Sequence, residues 1–158
     1  MGIEARLEDA RILWAQGRHE GAFLSALVAV AAASRILYPH ARPPSSGQRC
    51  TGHWLAGHPK YKDKEAFELF LNQDVFGRLC VEFRGKVEPV YRLFYTWVRC
   101  ELAHEGALPC DLVFIPNTID GPLRIRAGGA PEFELLLSES WFWEIVYTVE
   151  NRKSQLKK

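Results

Sequence analysis

The chain has 158 residues, 47% hydrophobic and 25% charged, the proportions of a globular protein long enough to close one core. Twenty Lys and Arg against nineteen Asp and Glu leave a net charge of +1. That balance does not imply a partner held by bulk electrostatics, such as duplex DNA or an anionic membrane, and leaves room for a small basic pocket.

Residues 4–16 (EARLEDARILWAQ) place Ile3, Leu7, Ala10 and Trp14 on one helical face, with Gly17 as a stop. A second helix is predicted from His19 to Tyr38; Ala22, Ala26, Ala29 and Ala33 form a stripe of small residues that lets a neighbour approach closely, and Pro39 ends it. Its apolar run, Ala22 to Ala33, is too short to span a bilayer and follows a charged segment, which makes it a poor signal peptide. A cytoplasmic protein with no membrane partner is expected. Its cysteines (Cys50, Cys80, Cys100, Cys110), which contain no C-x-x-C pair, are expected as thiols.

Residues 39–62 are expected to form an irregular loop, because three prolines by position 44 and then Ser-Ser-Gly forbid regular structure. A third helix is predicted at about Lys64 to Leu79 and a fourth at about Lys86 to His104. The fourth carries Val87, Val90, Tyr91, Leu93, Phe94, Trp97, Val98 and Leu102, more apolar residues than one core face needs. It is therefore either central to a bundle or covered by a second copy of the chain. The period then changes: DLVFI and PLRIRA, joined by PNTIDG, read as two short strands and a hairpin-like loop near 111–128. A final helix runs from a Ser cap at Ser138 to Gln155. The fold class is mainly α: one domain over residues 1–158, a bundle of about five helices with a small β-hairpin insertion.

Three groups of residues could carry chemistry. Cys50, His53 and His58 in the loop offer thiolate and imidazole ligands for zinc, with Cys80, Cys110 or His40 needed as a fourth; half of a typical finger spacing is missing, so solvated loop side chains explain the same letters. Glu82, Glu88, Glu101 and Glu105 could pair for acid–base work or hold magnesium, yet Arg84, Lys86 and Arg92 lie among them, as on a charge-balanced surface. No metal and no cofactor is expected.

The third group is Arg99 and His104, in the stretch YTWVRCELAHEGALPCD that Gly106 closes. On a regular α-helix five positions advance by about 500°, so these side chains point about 140° apart, roughly 7.5 Å apart along the axis. Arg99 could pair with Glu88 or Glu101 while His104 caps the helix. Alternatively both reach one phosphate where the helix end distorts, or two copies meet and line one cleft with both pairs. Cys100 and His104 share a face, but no third residue orients them as a nucleophile pair.

The string RCELAHEG, closing a long helix in a small helical domain, resembles the R-x(4–6)-H motif of the HEPN superfamily (higher eukaryotes and prokaryotes nucleotide-binding). GRHEGAFLSALVAVAAASRIL is similar to the Ala-rich early helices of these domains, and the resemblance covers about residues 5–38 and 64–106. It implies a homodimer joined through the motif helices and a metal-independent endoribonuclease of toxin or defence type. Arg99 then holds the phosphate, and His104 is the acid–base group. An antitoxin or a nucleotidyltransferase is the implied partner. The residue after the motif arginine is commonly Asn, Asp or His; here Cys100 is a poorer hydrogen-bond partner. Some family toxins carry a tyrosine two places after the histidine, as a modification site, where this chain has Gly106. The alternatives are a non-catalytic HEPN-like module that dimerises or binds a nucleotide or partner, and a small zinc-binding helical protein using the loop.

Overall fold

Apolar residues at helical spacing organise the first part of the chain, and glycine ends what they begin. The computed structural model describes residues 2–39, 62–116, 125–127 and 135–156. Helix α1 spans Ile3–Ala15 and stops at Gly17, whose φ of 72° turns the chain. Helix α2 spans His19–Leu37, and its Ala22, Ala26, Ala29 and Ala33 are all fully buried. Those side chains leave room for α1 along one side of α2 and for later helices along the others. By length and composition α2 could cross a membrane, with a mean hydropathy of 1.5, but half of that window is buried inside the fold, as in a core helix.

The single helix expected over 64–79 is two. Helix α3 is Asp63–Asn72 and helix α4 is Val75–Arg78, separated by Asp74 in an extended conformation. An ion pair sits at the break. The Arg152 guanidinium donates to the Asp74 carboxylate and to the Phe70 carbonyl, and lies 4.5 Å over the Phe70 ring. Arg152 is only 7% exposed, while Asp74 keeps 34% of its side chain open to solvent, so the pair is buried on one side only. Arg35 pairs with Asp63 and ties the end of α2 to the start of α3.

The helix expected from Lys86 starts later. Strands β1 (Cys80–Phe83) and β2 (Lys86–Pro89) form an antiparallel hairpin with Phe83 opposite Lys86. Its two-residue loop, Arg84 and Gly85, has φ of 52° and 73°, the signs of a type I′ turn. Pro89 is extended and fixes the start of α5, Val90–Leu93. The rod continues as a π-helical segment, Phe94–Arg99, and as α6, Cys100–His104. The Cys100 N–H reaches back to the Tyr95 carbonyl, an i→i−5 bond. On a regular helix every fourth residue drifts forward by about 40°. A wider turn takes part of that drift back, so Val90, Phe94, Val98 and Leu102 all stay in the core. Gly106, at φ 73°, ends α6 as the sequence predicts.

Strands β3 (Leu112–Ile115) and β4 (Ile125–Ala127) fall where the hairpin is expected, but they do not pair with each other. Both bond to a third strand, β5 (Leu135–Ser138), β3 in parallel and β4 antiparallel. Leu135 and Leu137 are fully buried, which suits the central strand. Strands are therefore not confined to 111–128, and the last helix begins after β5: α7 is Ser140–Asn151 and α8 is Lys153–Leu156. The chain is mainly α with small β additions.

Rings fill the centre. Phe23 stacks on Phe114 at 3.9 Å and Trp14 on Phe142 at 4.3 Å, while Phe94 meets Phe23, Phe76 and Trp141. Leu93 is also fully buried. The surplus apolar residues of the motif helix are thus used inside one chain: Tyr95 packs on Phe67 and Trp97 on Phe83. The apolarity of this helix does not by itself require a second copy.

Candidate functional site

Arg99 stands at the end of the π segment and His104 on the last turn of α6. Arg99 is half-buried and His104 exposed. Neither Glu88 nor Glu101 pairs with Arg99. Its guanidinium lies 5.2 Å over the Tyr95 ring, and its Nε is buried with no hydrogen-bond partner among the described residues. A buried donor left unpaired costs about 1–3 kcal/mol, and no carboxylate among the described residues offsets it. Five α-helical positions separate the pair, and the described clefts are lined by neither residue.

Cys100 is half-buried and a free thiol, as are the exposed Cys80 and Cys110. Among the described residues no group of three or more His, Cys, Asp or Glu is placed to hold a metal. Cys50, His53 and His58, with His40, lie outside the described residues, as does the 39–62 loop except for its two end residues.

A cleft of about 390 Å³ opens on the flank of the motif helix, between the β1–β2 hairpin and α3. Lys64, Arg84, Lys86 and Arg92 line it together with Phe83, Trp97, Thr96 and Glu88. The left-handed backbone of Arg84 costs about 1 kcal/mol or more for a residue with a Cβ. The side chain explains why arginine is there. Its Nε and a terminal nitrogen each donate 2.7 Å bonds to the Asp111 carboxylate, and its plane lies 4.3 Å over the Trp97 ring. The Arg84 guanidinium also holds the Asp111 carboxyl below the usual carboxylate range. Arg92 donates to Glu68 at 3.2 Å, and Lys64 approaches the same carboxylate at 3.8 Å. Lys86 is exposed and has no partner among the described residues. The sequence places Arg84, Lys86 and Arg92 on a charge-balanced surface, and the balance is indeed present. What the sequence did not disclose is that these cations line one cleft with Trp97.

A second cleft, of about 400 Å³, lies where α2 and α7 begin. His19 Nδ1 is 2.6 Å from a Glu139 carboxylate oxygen, and the imidazole stacks on Trp14 at 4.3 Å. The carboxylate orients the ring. Cys110 lines the same cleft without joining the pair in a metal-binding group. This contact was not expected from the sequence, where the two residues stand far apart.

Compared with known proteins, the chain matches no family model, no curated protein and no solved structure.

Proposed function

We propose that this chain is a HEPN-like endoribonuclease that cuts single-stranded RNA without a metal, acting as a cytoplasmic homodimer through Arg99 and His104. Arg99 carries the reading: it is a guanidinium beside Tyr95 with no ion pair among the described residues, on a helix whose last turn presents an exposed histidine. The π segment that ends at Arg99 adds support, since such segments are frequent at functional sites.

In the proposed reaction His104 takes the proton of a ribose 2′-OH, and that oxygen bonds to the adjacent phosphorus. The bond from phosphorus to the 5′-oxygen breaks, and His104 of the second copy protonates the leaving oxygen. The products are a 2′,3′-cyclic phosphate and a 5′-hydroxyl end. Arg99 stabilises the equatorial oxygens through its planar fork. A second copy supplies the other His104: on a regular helix Arg99 and His104 point about 140° apart, and neither lines the two described clefts.

Labelled single-stranded RNA incubated with purified protein in EDTA tests this. Wild type should leave cyclic phosphate ends, and His104→Ala should lower the rate by roughly 10²–10⁴. Arg99→Ala should lose as much, and Arg99→Lys should recover little, because an ammonium lacks the fork. Activity that requires magnesium and ignores His104 would overturn the mechanism. Protein inert on RNA that gains cleavage with Cys100→Asn would instead support the non-catalytic binding module, which the separation of Arg99 from both clefts favours.

A further inference from the structure

We infer that the cleft on the flank of the motif helix is a binding site for a phosphate-linked nucleobase, with Arg84 as the stacking platform and Lys86 as the phosphate contact. The site is separate from Arg99 and His104 and does not depend on their chemistry. Its volume of about 390 Å³ falls in the range of small-ligand sites.

Two features select the ligand. The first is a fixed plane. The Arg84 Cζ lies 4.3 Å from the centroid of the Trp97 ring and Asp111 holds the guanidinium through two bonds, while 40% of the Arg84 side chain remains open to solvent. Guanidinium planes, like aromatic rings, stack nucleobases. Because Asp111 already balances the Arg84 charge, this group offers a surface more than a net charge. The second feature is the uncommitted cation. Glu68 engages both Lys64 and Arg92, whereas Lys86, on the second strand of the hairpin and paired in register with Phe83, has no partner among the described residues. A planar group on Arg84 with an anion at Lys86 is the pattern of a nucleotide. A carboxylate or an inorganic anion would use Lys86 and leave the platform empty.

The turn supports the reading. A type I′ turn favours Asn or Gly at its first central position, yet this chain holds arginine there in a left-handed conformation. Arg84→Asn therefore suits the backbone, removes the platform and should keep the fold. Lys86→Glu alters an exposed residue and provides a second, independent variant.

Binding is measured by anisotropy of a fluorescein-labelled ten-nucleotide oligoadenylate with 2′-O-methyl riboses, which cannot be cleaved through its 2′-oxygen. Competitors are AMP, adenosine and inorganic phosphate. Wild type should bind the strand, and Arg84→Asn should weaken it by roughly 5- to 150-fold, the range for losing one base stack. Lys86→Glu should reduce the salt slope by about 0.7, the value for one phosphate contact on a single strand. If AMP competes as well as unlabelled strand, per nucleotide, the source of the ligand is the free nucleotide; if only the strand competes, it is RNA. Competition by phosphate as strong as that by AMP would overturn the stacking role. A strand bound equally by wild type, Arg84→Asn and Lys86→Glu, or not bound at all, would overturn the site, whatever the RNA cleavage assay shows. Binding through Arg84 by a protein that never cuts RNA would uphold it and count against the ribonuclease reading alone.

Discussion

Phe94 and Trp97 are three residues apart on one helix and occupy opposite kinds of environment. Phe94 is fully buried and meets the rings of Phe23, Phe76 and Trp141. Trp97 is half-buried, with Phe83 at its edge and the Arg84 guanidinium over its face. The centre spends its aromatic surface on excluding water, which is non-directional and tolerates no charge. The flank keeps charges at defined positions around one ring. The same residue class thus stabilises in one place and presents in the other, and the backbone neighbours of each ring decide which.

The sharpest way to break this comparison is to put the same charge on both sides. Leu93→Glu places a carboxylate in the closed centre, where Leu93 has no exposure, and should abolish cooperative folding, a loss of about 4 kcal/mol or more. Val87→Glu places it on the flank, where Val87 is 72% exposed, and should change stability by less than about 0.5 kcal/mol. Circular dichroism melts of the two variants check this; similar melting temperatures would erase the distinction. Leu93→Glu is accordingly no test of dimerisation, since it would remove the fold first.

A smaller effect is expected where the centre admits a charge of its own. Arg152→Ala leaves the half-exposed Asp74 unmatched and the Phe70 carbonyl without its donor, and should cost about 1–3 kcal/mol in urea denaturation. A loss below about 1 kcal/mol would mean that water reaches this pair as freely as it does the flank.

The smallest effect concerns pH, and it has opposite signs in the two regions. On the flank, the bond from Arg84 lowers the folded-state pKa of Asp111. Its stabilising contribution is present above the ordinary carboxylate pKa of about 3.9 and is lost as pH falls through the lowered value. On α7, burial first and the charge of Asp74 second raise the pKa of Glu144. Its contribution is present below the ordinary pKa of about 4.3 and is lost as pH rises through the raised value. Melts between pH 2 and 7 should show Asp111→Asn less sensitive to acid than wild type, and Glu144→Gln at least as stable as wild type at pH 7. Parallel curves for wild type and both variants would remove the difference.

The helical frame was legible because α1 and α2 are long and their signals agree; both lie within a residue of where periodicity and the Gly17 and Pro39 stops place them. The hairpin at 80–89 was hidden by coincidence. Val87 and Val90 fit a helical face, yet Val81 and Phe83 alternate with exposed residues at period two, and Arg84-Gly85 was a turn signal without the usual asparagine. Strand β5 is a short unbroken leucine run, which periodicity cannot separate from the start of a helix. At the break Asp74 meets Arg152, and local spacing carries no trace of a partner so distant. For the same reason Arg99 and His104 could be named from the chain, whereas the Arg84–Trp97 platform could not. It exists only because Asp111 arrives from another part of the fold.

The contact between Arg84 and Asp111 also bears on how the molecule opens. A hairpin with a well-matched turn can form and unravel alone, but this one keeps its corner through a carboxylate 27 residues further along, beside the first residue of β3. The corner and the β3 edge should therefore come apart as one cooperative unit. In native-state hydrogen exchange the amides of Phe83 and Leu112 would then share one opening free energy, although no strand pairing connects them.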